Sequence, residues 1–471
     1  MNSQSSPPPD VVDSVALVRS GAATPRELVH DAIDRIEVGD GRLNAVVATR
    51  FEAALQEADA VDSDLPLAGV PILLKDVGLK GEPFYLGSRR YADLDWRFSA
   101  TDLFTARLQR AGAVVVGYTN VPEYLSAATT ESEVYGPCRN PWDITRTAGG
   151  SSGGAGAAVA AMFVPAAQSS DGGGSSRIPA SANGVFTIKP SRGRTPLSPT
   201  GAAWMDITSS KSFETRTVRD FALLLDVVAG VDPVETVGAP PPARPYVEEV
   251  GLPPGKLRIG LSSRGGGSTG PCHREALKAV ADTAALLGEL GHSVEEAAPA
   301  TFLSDESMAI ILGYWPLKVA MRAAPAEDRL GRALTAGDLE RGTFKMLEQA
   351  RAQTLVDFAR TLDRIRDFTL RSLPWWENYD LLLTPTTGSP PPPLGLLTTP
   401  GPEARAASGL WGGLTPYANI TGQPAASVPL HWTSEGLPVG LQLIAAPWRE
   451  DLLLRVAAQL EQARPWAQRY V

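Results

Sequence analysis

Gly149-Gly-Ser-Ser-Gly-Gly154 and Asp171-Gly-Gly-Gly-Ser-Ser-Arg-Ile-Pro179 are two glycine–serine stretches, each followed by apolar sequence. The first leads into Ala155-Gly-Ala-Ala-Val-Ala-Ala161, a small-residue helix that allows close backbone packing. Upstream, Leu67-Ala-Gly-Val-Pro-Ile-Leu-Leu74 is a short apolar run suited to a buried strand and ends in Lys75-Asp76. Residues 103–111 read as a helix, and Ala113-Val-Val-Val-Gly117 as a second buried strand. Strand and helix alternate, so the expectation is an α/β fold whose sheet is covered by helices on both faces.

Working outward, residues 11–65 form an N-terminal helical segment behind a flexible tail, 1–10. Val12, Val15, Leu17 and Val18 keep a helical period; Thr24-Pro25-Arg26-Glu27 starts the next helix with an N-cap and a proline in its first turn. Leu28, Ala32, Ile33 and Ile36 continue that helix's apolar stripe. A strand–helix–strand unit is expected over 256–296, then long helices over 305–372, and a strand at Asp380-Leu-Leu-Leu383 before a Pro- and Thr-rich loop. The expected organisation is one domain over 11–471, with a core of 66–245 and 375–471 and a peripheral α/β and helical region at 250–374.

Composition excludes several classes. With 43 Lys plus Arg against 52 Asp plus Glu, the net charge of −9 argues against a nucleic-acid partner. Two cysteines and four histidines give no metal pattern, and no metal or other cofactor is expected. The start of the chain is polar and proline-rich, and the small-apolar run 155–167 contains Pro165 and is too short for a bilayer. A cytoplasmic protein without membrane association is the expectation.

Taken alone, the glycine–serine stretches admit several readings. Flexible linkers are one, and the apolar flanks argue against it. Neither stretch ends in the Gly-Lys-Ser/Thr of a phosphate cradle. Gly150-x-Ser152-x-Gly154 matches a serine-hydrolase elbow, which needs a histidine, and His273, His292 and His431 sit in ordinary contexts. Without histidine, a lysine of depressed pKa can serve as base, and Lys75 follows directly on an apolar strand.

These pieces together resemble the amidase signature family of Lys–Ser–Ser hydrolases over nearly the whole chain. Gly69–Asp76, Gly117-Tyr-Thr-Asn-Val-Pro-Glu123 and Asn140-Pro-Trp142 carry the resemblance, followed by the two glycine–serine stretches. Asn419-Ile-Thr-Gly-Gln-Pro, Gly436-Leu-Pro-Val-Gly-Leu-Gln442 and Glu450 extend it. The resemblance implies an α/β/α sandwich on a central mixed sheet, with Lys75 as base, Ser151 as bridging serine after a cis peptide, and Ser175 as nucleophile. It also implies an oxyanion hole from the N–H groups of Gly172, Gly173, Gly174 and Ser175, a bracing role for Asp171 and Arg177, and no cofactor. Two departures stand out: Gly172 where many relatives have Thr, and Ser176 where many have Ile or Val.

Within that family the chain resembles hydrolases of 6-aminohexanoate cyclic dimer, aryl acylamidases and urethane-cleaving amidases. The expected substrate is a small amide or carbamate, and the expected pocket is apolar, suited to hydrophobic or aryl amides. Leu125, Trp204, Met205, Tyr314, Trp315 and Trp411 are its candidate walls, with residues 300–345 and 385–415 at the mouth. A homodimer is a further expectation. The competing functions are the glutamine amidase subunit of a tRNA-dependent amidotransferase and a non-catalytic binding protein on the same fold.

Overall fold

The computed structural model describes residues 7–199, 206–235, 237–263 and 270–470. One five-stranded sheet runs in the order Val46–Thr49, Val114–Thr119, Pro71–Leu74, Ala166–Asp171, Ser210–Thr215. Its three inner strands are parallel and its two edges antiparallel. A six-stranded mixed sheet runs Ser293–Glu296, Arg258–Leu261, Leu381–Pro385, Pro438–Ala445, Ala425–Trp432, Thr187–Lys189. The two meet where Phe186 and Thr215 exchange backbone hydrogen bonds of 2.8 and 3.0 Å. The result is one central mixed surface. The strands of the 250–374 region lie at its outer edge, Arg258–Leu261 paired with Leu381–Pro385 and Ser293–Glu296 paired with Arg258–Leu261.

Local sequence explains the elements. Thr24 and Glu27 form a reciprocal capping box at the start of the helix Pro25–Leu43, which buries Leu28, Ala32, Ile33 and Ile36. Pro71–Leu74 and Val114–Thr119 are buried throughout, as inner parallel strands covered on both faces must be. Among the described residues no helix is long and apolar enough to cross a membrane.

The site depends on two consequences of this topology. Pro71–Leu74 and Ala166–Asp171 are parallel neighbours, with Leu73 opposite Ala167, so Lys75 and Ser170 emerge side by side at the strands' carboxyl ends. The helix Gly153–Ala160 consists of Gly, Ala and one Val and is wholly buried. A Cβ at Gly154 would sit 2.4 Å from Asn120 N and 2.5 Å from Ala45 O; one at Gly156 would meet Asn183 and Pro179. Small residues therefore let this helix press against the sheet and the helix Arg177–Asn183.

Gly154→Ala, which meets unyielding backbone, should cost about 3 kcal/mol or more. Gly288→Ala, in an exposed helical position with nothing within 4 Å of the added carbon, should stabilise by about 0.5–1 kcal/mol. Urea midpoints of the two variants check the contrast; equal shifts would overturn the close-packing account.

Candidate active site

Lys75 is 4% exposed and its backbone N–H donates to Gln168 Oε1 at 2.8 Å, which fixes its exit from the strand. Its Nζ lies 2.9 Å from Ser151 Oγ, 2.7 Å from Ser152 Oγ and 2.9 Å from Ser170 Oγ. Burial pushes its pKa down to about 8; the nearby Asp76 charge opposes this and Arg322 adds to it. Burial also works against the charge of Asp76. Lys75, Lys211 and hydrogen bonds from Ser170 and Gln168 outweigh it and hold the carboxyl below its usual range.

Proton counting distinguishes the three hydroxyls. A neutral lysine has two N–H groups and one lone pair. Ser170 donates its O–H to Asp76 Oδ2 at 2.7 Å, so towards Lys75 it acts as acceptor. Ser152 donates towards Ser170 O at 3.4 Å and likewise accepts from Lys75. The lone pair is then left for the O–H of Ser151. This assignment favours Ser151 over the elbow serine Ser152 as the residue that gives Lys75 a proton. The Gly150–Ser151 peptide is cis.

Ser175 is 8% exposed and lines the same cleft as Ser151. Its loop is braced from within. Asp171 and Arg177, both fully buried, form a two-pronged ion pair of 2.8 and 2.9 Å. Arg177 also donates to Thr415 O, Gln442 Oε1 and Asn419 Oδ1 at 2.8, 2.5 and 2.6 Å. Burial opposes the Asp171 charge, and the Arg177 guanidinium overcomes it, holding that carboxyl far below the usual range. Asn140 and Trp142 secure the far end of the helix that follows, through Ala182 O and Asn183 O at 2.7 and 2.8 Å.

The oxyanion expectation needs one correction. The Gly174 N–H donates to Asp171 Oδ1 at 2.7 Å and is committed to the brace. None of the described hydrogen bonds uses the N–H of Gly172, Gly173 or Ser175, so these three donors remain. Gly174 is required for another reason: its φ is +123° and a Cβ would lie 2.1 Å from Thr415 Oγ1.

The cleft also corrects the pocket. Leu125 lines it with Phe84, Leu86, Tyr91 and Trp315, but Asp76, Asp206, Lys211, Lys318 and Arg322 line it too, so the pocket expected to be apolar carries five charged side chains as well. Tyr314 does not line it: it is buried in the main core, and its neighbour Trp315, a step round the helix Asp305–Leu330, faces the cleft instead. Trp411 does not line it either; it packs on Ile178 and Ala182 of the helix Arg177–Asn183 and donates to Ala128 O at 2.9 Å. Residues 385–415 supply none of the lining, whereas 300–345 supply the helix wall. Trp204 and Met205 lie outside the described residues.

The departure at Gly172 now has a physical reading, because a Cβ there would lie 2.6 Å from Lys318 Nζ and 2.8 Å from Ser209 Oγ. Lys318 pairs with Asp206 at 2.7 Å and sits 4.8 Å from the Trp315 ring centroid. Ser176 accepts from Ser169 Oγ at 2.8 Å. The charged wall escaped sequence reasoning, although Trp315, Lys318, Met321, Arg322 and Pro325 follow a helical period that could have signalled a shared face. None of the four histidines lines the cleft: His292 bridges Leu257 N and Gln459, His273 caps the helix Arg274–Glu289, His431 pairs with Glu275, and His30 lies beside Asp34.

Known proteins carry the same architecture. A family model described as Amidase matches residues 27–454. The 6-aminohexanoate-cyclic-dimer hydrolase of Paenarthrobacter ureafaciens is 37% identical, covering 98% of this chain and 96% of that one. A solved 6-aminohexanoate cyclic dimer hydrolase complexed with substrate superposes with a TM-score of 0.92 at 36% identity, covering 98% of each chain. A bacterial aryl acylamidase of the amidase signature family does so with 0.87 at 26% identity, over 98% of this chain and 97% of that one. A buried lysine facing a serine pair, a braced glycine–serine loop and these full-length likenesses converge on one conclusion: the chain belongs to the amidase family.

Proposed function

We propose that the protein hydrolyses the carbon–nitrogen bond of small amides through an acyl-enzyme on Ser175. The observation that carries this is the buried Lys75, set 2.9 Å from Ser151 Oγ beside the braced Ser175 loop. Neutral Lys75 takes the Ser151 proton as Ser151 takes that of Ser175, and Ser175 Oγ attacks the amide carbonyl. Ser151 and Ser175 share the cleft wall without a direct hydrogen bond, and a bound substrate has to close that gap. The N–H groups of Gly172, Gly173 and Ser175 receive the oxyanion. The proton returns through Ser151 to the departing amine, and water, deprotonated along the same route, releases the acid. A carbamate passes through the same oxyanion, so urethane cleavage needs no added catalytic group. Likeness to hydrolases of 6-aminohexanoate cyclic dimer and to an aryl acylamidase supports anilides and ω-amino-acid amides as first substrates to assay.

Ser175→Ala should lower kcat by about 10³-fold or more while leaving the thermal midpoint near wild type. A fluorophosphonate adduct should map to Ser175, and an adduct on Ser152 would replace this reading with the elbow.

The base gives a pH signature. Lys75 must be neutral to accept a proton, and it loses its own at about 8. Activity should therefore rise with pH through neutrality and level off above that value. Lys75→Met should cost about 10²–10⁴-fold, more than any His→Ala variant. A flat profile from pH 6 to 9 would remove Lys75 from the role.

Arg177 is a positioning residue in this scheme. Arg177→Met strands the buried Asp171 charge and should cost about 3–5 kcal/mol. Arg177→Lys, which keeps the charge but cannot reach Asn419, Gln442 and Thr415 together, should recover part of the stability with a lowered kcat. Full stability in Arg177→Met would contradict the brace.

A further inference from the structure

The helix Asp305–Leu330 presents Lys318 and Arg322 to the cleft one turn apart, on the same face. Their surroundings differ. Lys318 is buried and satisfied by Asp206 and by the hydroxyls of Ser209 and Thr208 at 2.7, 2.6 and 3.3 Å. Arg322 is half-buried and makes one described side-chain hydrogen bond, from Nη1 to Tyr124 O at 2.8 Å. Among the described residues it has no carboxylate within ion-pair distance. None of its nitrogens belongs to the sealed, unpartnered polar atoms, so its remaining N–H groups open on the cleft.

The other charges of the cleft are already engaged. Lys211 pairs with Asp102 at 2.8 Å. Asp76 is held at the catalytic end by Ser170 and Gln168. Asp206 is taken by Lys318. Among the described residues, one guanidinium whose Nε and Nη2 carry no partner is left in the wall of the cavity that holds Ser175.

Resting on the amide-hydrolase reading above, we propose that Arg322 anchors a free carboxylate on the substrate, making the preferred substrate an amide whose acyl or amine part bears a second acid group. A guanidinium fork matches a carboxylate in two parallel hydrogen bonds. A dianionic phosphate fits less well, because Asp76 and Asp206 line the same cleft and only one cation is unmatched. Phe84, Leu86, Tyr91 and Leu125 supply the apolar surface for the chain between the carboxylate and the amide. Tyr124 and Leu125, both at positive φ (49° and 57°), form the turn that aims Tyr124 O at Arg322 and places Leu125 on the wall.

The test uses matched substrate pairs. On the acyl side, glutaryl-p-nitroanilide is compared with pentanoyl-p-nitroanilide. On the amine side, butyryl-4-aminobenzoate is compared with butyryl anilide. In at least one arm the carboxylate member should be favoured in kcat/KM by roughly 10- to 100-fold, the span of a charge-assisted hydrogen-bonded contact. Arg322→Gln should bring that ratio close to one, and Arg322→Lys should restore part of it. The arm that responds tells which side of the amide carries the acid.

A second readout needs no turnover: glutarate binding by calorimetry should weaken at least tenfold in Arg322→Gln. No preference in either arm, or equal loss for charged and neutral members in Arg322→Gln, would overturn the proposal, as would glutarate binding that ignores the substitution. Failure of Ser175 to take a fluorophosphonate, with glutarate still bound through Arg322, would instead overturn the hydrolase reading and leave the anion site standing.

Discussion

The buried pair of Asp171 and Arg177 is the constraint on which the site depends. Desolvating two charges costs several kcal/mol each, and Coulomb attraction offsets that only when the remaining donors and acceptors are matched. Here they are matched by residues distant in sequence: Thr415, Asn419 and Gln442 accept from Arg177, and the Gly174 and Asn419 nitrogens donate to Asp171. The pair can be satisfied only when the Ala166–Asp171 strand, the Ser175 loop, the short helix Pro416–Ile420 with its cap Thr415, and the strand Pro438–Ala445 have come together. The position of Ser175 is thus tied to completion of the fold. The same pair accounts for the glycines: Gly174 gives its N–H to the brace, which leaves the neighbouring N–H groups unclaimed.

A second constraint acts on Lys75. Burial makes the ammonium costly and lowers its pKa, while the Asp76 charge limits how far it falls. Three hydroxyls around one amine allow a neutral lysine to be fully hydrogen-bonded, with its lone pair turned to Ser151. Ser152 and Ser170 look redundant in sequence, yet in the proposed mechanism they set the direction of proton transfer by occupying the two N–H groups. Asp76 completes this by fixing Ser170 as an acceptor.

What could be read from sequence follows the range of the forces involved. Capping at Thr24, the apolar stripe of the helix it starts and the buried strands are local, and all appear as expected. The Lys75, Ser151 and Ser175 candidates come from the family resemblance of several motifs together, because the glycine–serine stretches taken alone admit several readings. The cleft walls were not legible. Tyr314 and Trp315 are equally aromatic neighbours on one helix, and only the docking of that helix decides that Trp315 meets the cleft and Tyr314 the core. Trp411 shows the same limit: its burial could be guessed, its place against the helix Arg177–Asn183 could not. The charge of the pocket was hidden for a related reason, since Asp206, Lys318 and Arg322 each look like solvated surface residues until the helix folds over the strands.

The proposed catalytic groups and the helix that walls the cleft also differ in how they are built. Lys75, Ser151 and Ser175 stand at the ends of, or between, elements of the five-stranded sheet, and their geometry is set by backbone packing that admits little change. The helix Asp305–Leu330 reaches the site with side chains, through Trp315, Lys318 and Arg322. It meets the Ser175 loop where Trp315 lies against Gly173 and where Gly172 leaves room for the Lys318 ammonium. A β-carbon at 172 would lie 2.6 Å from that ammonium and 2.8 Å from Ser209 Oγ, so both side-chain ends would have to shift. Gly172 and Lys318 therefore belong together: the bare backbone at 172 admits a buried cation, and Asp206 neutralises it. With that cation matched, the charge in the wall that has no ion-pair partner among the described residues is Arg322, one turn further along and clear of the brace. Recognition can thus change on the helix without disturbing the ion pair that holds Ser175.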